Sequence, residues 1–187
     1  MNKKHGVFTE PETIRFERLV NGPIEKVWDY LTKSELKEKW LSSGDVQPKV
    51  GGTVTHEFDH TRLSNQEDPF PEKYKDMEEG AVSKGVVITY DAPNILSYTW
   101  EEDDGFGSEV TFELSSKSDN KVLLVLTHRM LPEDPATKAG IGAGWHTHLS
   151  VLSDRLASTE PKGFWGIHMP LEKKYAELIS KLTKHGS

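Results

Sequence analysis

VNGPIEKVWDYLTKSELKEKWL, residues 20–41, decides how this chain is read. Asn21-Gly22-Pro23 interrupts whatever precedes it, and Pro23 suits the first position of a helix. Ile24, Val27, Trp28 and Leu31 then recur at i, i+3, i+4 and i+7, which places them on one helical face. Ser34 can cap a second short helix whose apolar positions are Leu36, Trp40 and Leu41. Upstream, residues 13–20 alternate, with Ile14 and Phe16 on one face, as a half-buried strand does. A strand followed directly by two short helices is an uncommon opening, and it narrows the choice of fold.

Beyond Asp45 the period changes to two. Val46 begins a short strand, Gly51-Gly52 turns the chain, and residues 53–60 alternate. Strands follow at 81–90, 95–101, 108–116 and 121–130, separated by turn sequences at 91–94 and at Asp103-Asp104-Gly105. The last is the most apolar and so the most central. Such short connections favour an antiparallel meander. Residues 61–80 carry two prolines and many charges without periodicity, and read as a surface insertion. A helix is expected over about 137–158, where Ile141, Trp145, Leu149, Leu152 and Leu156 form a stripe about 80° wide. Residues 159–166 read as a breaker, and Leu171, Tyr175, Leu178 and Leu182 mark a terminal helix. The expectation is one α+β domain over 13–183, with a polar, flexible lead-in at 1–12. A curved antiparallel sheet of about six strands wraps a long C-terminal helix, because that arrangement hides both apolar surfaces.

Length and composition restrict the function. A chain of 187 residues suits one domain, and five Trp, five Tyr and seven Phe supply large buriable side chains. The net charge of −7 argues against general nucleic-acid binding. Zero cysteines exclude disulfides, thiolate nucleophiles and Cys-ligated metals. No run approaches the roughly 18 apolar residues of a membrane span, and residues 1–12 lack the apolar core of a signal peptide, so the cytoplasm is the expected compartment.

Reactive constellations are scarce. His146 and His148 would be separated by about 200° on one helix, and His56 and His60 by about 13 Å on one strand, so neither pair chelates an ion; no metal or other cofactor is expected. His128 and His148 could still meet in space. No GxSxG elbow or phosphate loop occurs. Gly140, Gly142 and Gly144 form GxGxG without the preceding parallel strand of a dinucleotide site, and read as a place where the helix backbone approaches the sheet. The acidic run Glu101-Glu102-Asp103-Asp104 reads as a solvated hairpin turn. What remains is an aromatic set drawn from every element: Trp28, Trp40, Phe58, Trp100, Phe112 and Trp145. Most such residues pack cores, yet a sheet curved round one helix often leaves an apolar cavity. Tyr98, His128 and His148 would orient a ligand there, and Leu149 and Leu152 would complete its lining.

Three stretches together resemble a known superfamily: residues 20–41 with their Pro-x-x-x-Val-Trp pattern, GVVITYDAPNILSYTW at 85–100, and GAGWHTHLSVLSDRLAS at 142–158. They look like the START-like (SRPBCC) superfamily, and most like its branch named for similarity to the activator of the ninety-kilodalton heat-shock protein ATPase. The resemblance covers roughly 13–158 and implies a helix-grip fold, in which the long helix closes the sheet over an apolar cavity. It also implies that Trp28, Trp40, Trp100 and Trp145 face the interior, and it carries over no catalytic set. The leading expectation is a module that binds a small, mainly apolar or aromatic molecule. A cyclase- or hydrolase-like enzyme using His128 or His148 as general acid–base is the second, and a chaperone-associated interaction domain the third. Uncovered sheet edges make a homodimer a candidate assembly.

Overall fold

The structure, a computed structural model, describes residues 5–101 and 107–185; residues 1–4 of the lead-in and the acidic turn at 102–105 lie outside them. The elements run β1 (Val7–Glu10), β2 (Thr13–Asn21), α1 (Ile24–Thr32), α2 (Ser34–Lys37), β3 (Thr53–Phe58), β4 (Ala81–Asp91), β5 (Ile95–Glu101), β6 (Gly107–Lys117), β7 (Lys121–Arg129), α3 (Pro135–Leu156) and α4 (Phe164–His185). Short 3-10 turns lie at His60–Arg62 and Glu72–Glu79. All strand pairs are antiparallel, in the order β1-β2-β7-β6-β5-β4-β3. This is the helix-grip arrangement. β7 is an interior strand between β2 and β6 and carries Leu124 and Leu126 into the core with no exposure, although β6 and not β7 is the middle strand of the seven, since β1 adds only one strand beyond β2 on that side.

The sheet has seven strands rather than six, because the lead-in is not free. Val7 pairs with Arg15 and Phe8 with Ile14, and the amide of Gly6 donates to the Tyr175 hydroxyl at 2.7 Å. Nothing periodic in so short and polar a segment announces a strand, since its partners lie on β2 and α4. The outer edge of β3 is also occupied, by bridges from Ser43 to Glu57 and from Val46 to Val54, so Val46 contributes a bridge and no strand.

α3 is less amphipathic in place than its stripe suggests. Leu149, Leu152 and Leu156 are buried as expected, and so are His146, Thr147, His148 and Val151. The physical reason is α4, which packs along α3 and covers part of what would be its polar face, with Tyr175 against His146. Gly142 permits that contact: a Cβ there would lie 2.9 Å from Tyr175 Cδ1 of α4, and 3.3 Å from Ile14 Cδ1 of the sheet.

The segment 61–80 is stitched to the start of α4. Trp165 and Gly166 donate their amides to Asp68 at 2.7 and 3.2 Å, and the Gly163 amide donates to Gln66 Oε1 at 3.2 Å. Ser64 Oγ donates to the Pro161 carbonyl at 2.8 Å, and Arg155 Nη2 to that of Leu63 at 3.1 Å. Asp68 thus caps a helix almost a hundred residues away, placing a carboxylate at the positive end of the helix dipole. That distant cap lets α4 begin at Phe164, inside the stretch whose sequence reads as a breaker. No helix among the described residues is long and apolar enough to cross a membrane.

Candidate functional site

The space between sheet and α3 is filled. Trp28 packs edge-on to Tyr90 and Trp40 to Phe112, Tyr98 lies against Phe112, and Leu149 and Leu152 are fully buried among them. These six candidates, Trp28, Trp40, Tyr98, Phe112, Leu149 and Leu152, build the core and do not reach a cavity. The cleft opens instead at one end of the grip and has a volume of about 700 Å³. Its walls are β3–β5, β7, the first half of α3, the beginning of α4 and the 60–77 segment. Phe58, Trp100, His128, Trp145 and His148 are the candidates that line it.

Two opposite walls differ in chemistry. On the sheet side, Trp145 Nε1 donates to His128 Nδ1 at 2.9 Å, which leaves the imidazole proton on Nε2. Nε2 lies 2.6 Å from Ser108 Oγ, and that hydroxyl donates to the Trp100 carbonyl at 3.1 Å. Every polar atom of this chain has a partner, and burial pushes His128 down to about 3. Trp100 and Trp145 meet edge-on here, with centroids 5.1 Å apart.

On the other side stand His60, Tyr74, His148, Phe164, Trp165 and His168. Phe164 lies 4.7 Å from both His60 and His148, and Tyr74 stacks on Trp165 at 4.8 Å. His148 Nδ1 is bonded to the Trp40 carbonyl at 2.7 Å, and His168 Nε2 lies 3.2 Å from the Tyr74 hydroxyl. Glu172 anchors the rim: it pairs with Lys73 and lies 3.7 Å from His168 Nε2. Burial again dominates the ionisation, lowering His60 and His168 to about 4 and His148 to about 3. Unlike the sheet side, this wall has unused hydrogen-bonding groups: His60 Nδ1, Trp165 Nε1 and His168 Nδ1 are buried without a partner among the described residues.

The reading of the glycines changes accordingly. Gly140 and Gly144 stand one helical turn apart and line the cleft; a Cβ on Gly144 would meet nothing within 4 Å. They hold volume open, while Gly142 between them admits α4 and the sheet. Beneath Trp100, whose ring is 4.7 Å from His56, lies a group that periodicity does not reveal. Lys37 is 1% exposed and donates to the carbonyls of Ser43 and Thr55 at 3.2 and 3.0 Å, and burial lowers it to about 7. His60, Phe164, Trp165 and His168 were also missed as site residues. The spacing Phe164, His168, Glu172 was the available signal, since i, i+4 and i+8 share a face once 164–166 are read as helix. His128 and His148 both border the cleft, each with a separate partner. No group of three or more His, Asp or Glu side chains among the described residues is arranged to hold a metal ion.

A family model described as Activator of Hsp90 ATPase homolog 1-like protein matches residues 21–157. The chain belongs to this family. Among solved structures, the protein encoded by gene BPP1335 from Bordetella parapertussis is 35% identical, with TM-score 0.77, covering 93% of this chain and 90% of that one. MLL2253 from Mesorhizobium loti is 26% identical, with TM-score 0.60, covering 79% and 98%. The conserved protein of unknown function EF2215 from Enterococcus faecalis shares the fold at 20% identity, with TM-score 0.69 and 97% and 94% coverage. No curated protein matches the chain.

Proposed function

We propose that this member of the Activator of Hsp90 ATPase homolog 1-like family binds a small, mainly apolar or aromatic molecule in the cleft beside α3, and does so in the cytoplasm, as a chain without cysteine suits. The observation that carries the reading is the pair Gly140 and Gly144: two bare positions on α3 face an aromatic-walled space of about 700 Å³. Core packing alone gives no reason to leave that space. Three tryptophans, Trp100, Trp145 and Trp165, border it and would report an occupant.

The acid–base reading has less support. His128 has both nitrogens committed, and neither it nor His148 is held by a carboxylate. Both are too weakly basic near neutrality to abstract a proton well. A chaperone-associated role rests on the family's name alone. Pairing of two copies through the sheet edges is disfavoured by the four-residue β1 at one edge and the bridged β3 at the other.

The test is a thermal-shift screen of aromatic and lipid-like metabolites, run in parallel on the unaltered protein and on Gly144→Leu. A ligand at a hundred times its dissociation constant adds about 2.7 kcal/mol of stability. The expected result is a hit that raises Tm and quenches Trp fluorescence in the unaltered protein, with both responses gone in the variant. Hits that persist unchanged in a folded Gly144→Leu protein would place binding elsewhere and sink the reading.

A further inference from the structure

The wall of His60, His148, Phe164 and Trp165 holds hydrogen-bonding capacity that the protein does not consume. A carbonyl only accepts, so the 2.7 Å contact to the Trp40 oxygen fixes the proton of His148 on Nδ1. Burial keeps the ring neutral, and Nε2 is therefore a lone-pair acceptor. No described residue donates to it, although the side chain is 94% buried, being 6% exposed, and borders the cleft. Nearby, the Trp165 indole N–H has no acceptor and His60 Nδ1 has no partner. The His60 ring lies 5.7 Å from that of His148 and 5.2 Å from that of Trp165, so these unmet groups share one aromatic wall. Buried polar groups are satisfied almost everywhere in folded proteins, and an acceptor left unmet on a side chain that borders an open cleft calls for a partner from outside the chain.

We propose that the ligand of this cleft is a neutral hydroxylated aromatic, whose O–H donates to Nε2 of His148 while its ring lies against Phe164; the proposal rests on the binding reading above. A hydroxyl supplies the one proton that Nε2 of His148 lacks. An ether has no proton for Nε2. A carboxylate has none either, and would lose its hydration among aromatic rings and neutral imidazoles, where Lys73 is already paired with Glu172.

Calorimetric titration of the whole protein at neutral pH with 2-naphthol, 2-methoxynaphthalene and 2-naphthoate separates these cases. The naphthol should bind about tenfold more tightly than its ether, the difference one well-made hydrogen bond gives, with the naphthoate weakest. In His148→Phe the naphthol should fall to the ether's affinity while the ether is unchanged. Because that variant also loses the bond to Trp40, long-range proton–nitrogen NMR of the unaltered protein supplies a second readout. Naphthol should move the Nε2 resonance of His148 and leave that of His128 in place. Equal binding of naphthol and ether, or an unmoved His148 Nε2, overturns the proposal and leaves the cleft-binding reading standing. Absence of binding by all three probes overturns both.

Discussion

The two sides of the cleft both hold buried histidines whose pKa values burial lowers, yet their hydrogen bonding differs. His128 sits in a closed chain from Trp145 through Ser108 to the Trp100 carbonyl, and adds rigidity to the junction of β5, β6, β7 and α3. His60, His148 and His168 stand among Phe164, Trp165 and Tyr74 with nitrogens left over. A lowered pKa alone does not tell these walls apart, because burial is the leading cause in both. Completeness of hydrogen bonding does. A satisfied buried histidine belongs to the architecture, and an unsatisfied one beside open volume is where the binding proposal places its ligand.

Acid is the harshest way to stress both walls at once. His56, His60, His128, His148 and His168 are all held below their ordinary range by burial. The unfolded chain therefore binds more protons than the native one between about pH 6.5 and pH 4. Stability is fully present above that window and falls with pH inside it, at a cost on the order of 3 kcal/mol each for His60 and His168 once their folded value of about 4 is passed. A domain with 5–15 kcal/mol in hand should lose its cooperative melt before about pH 4. Melts followed by Trp fluorescence from pH 8 to pH 4 check this, and a Tm indifferent to pH in that range would contradict the burial of these rings.

Single substitutions then separate the walls. His128→Phe strands the Trp145 N–H and removes the donor to Ser108 Oγ, and should cost about 2–4 kcal/mol in chemical denaturation. His60→Phe removes a ring with an unpartnered nitrogen from an aromatic wall, and should be within about 1 kcal/mol of neutral, because nothing is left unpaired. The opposite ranking would erase the distinction drawn here. Asp68→Ala tests how the wall with unpaired groups is held: two capping bonds to α4 disappear, for about 1–2 kcal/mol, and any cleft ligand should bind more weakly although Asp68 does not line the cleft. The smallest effect on stability is expected for Gly144→Leu, which should gain up to about 1 kcal/mol from helix propensity while filling the cleft, as read from its Tm.

Much of this molecule can be read one segment at a time. The strand–helix–helix opening, the meander from β4 to β7 and the stripe of α3 each depend on a local period of 2 or 3.6. The sealed wall is legible for the same reason, since Trp100, His128 and Trp145 lie on periodic elements whose apolar faces point inward. The wall with unpaired groups is not. His60 sits in a 3-10 turn, Phe164 and Trp165 in a stretch that becomes helix only when Asp68 caps it from another part of the chain, and Tyr74 in a segment without periodicity. The same limit explains the six aromatic and leucine candidates that turned out to be core: periodicity tells which face is apolar, and says nothing about whether the space it faces is filled.

The sequence by itself therefore determined the layers, the antiparallel order of the main strands and the family, because these follow from short-range patterns that only one packing satisfies. Tertiary structure alone decided where the open volume lies and which polar atoms border it unpaired. Both depend on contacts between residues roughly a hundred positions apart, such as Asp68 with Trp165 and Trp40 with His148, and no local period records a contact of that range.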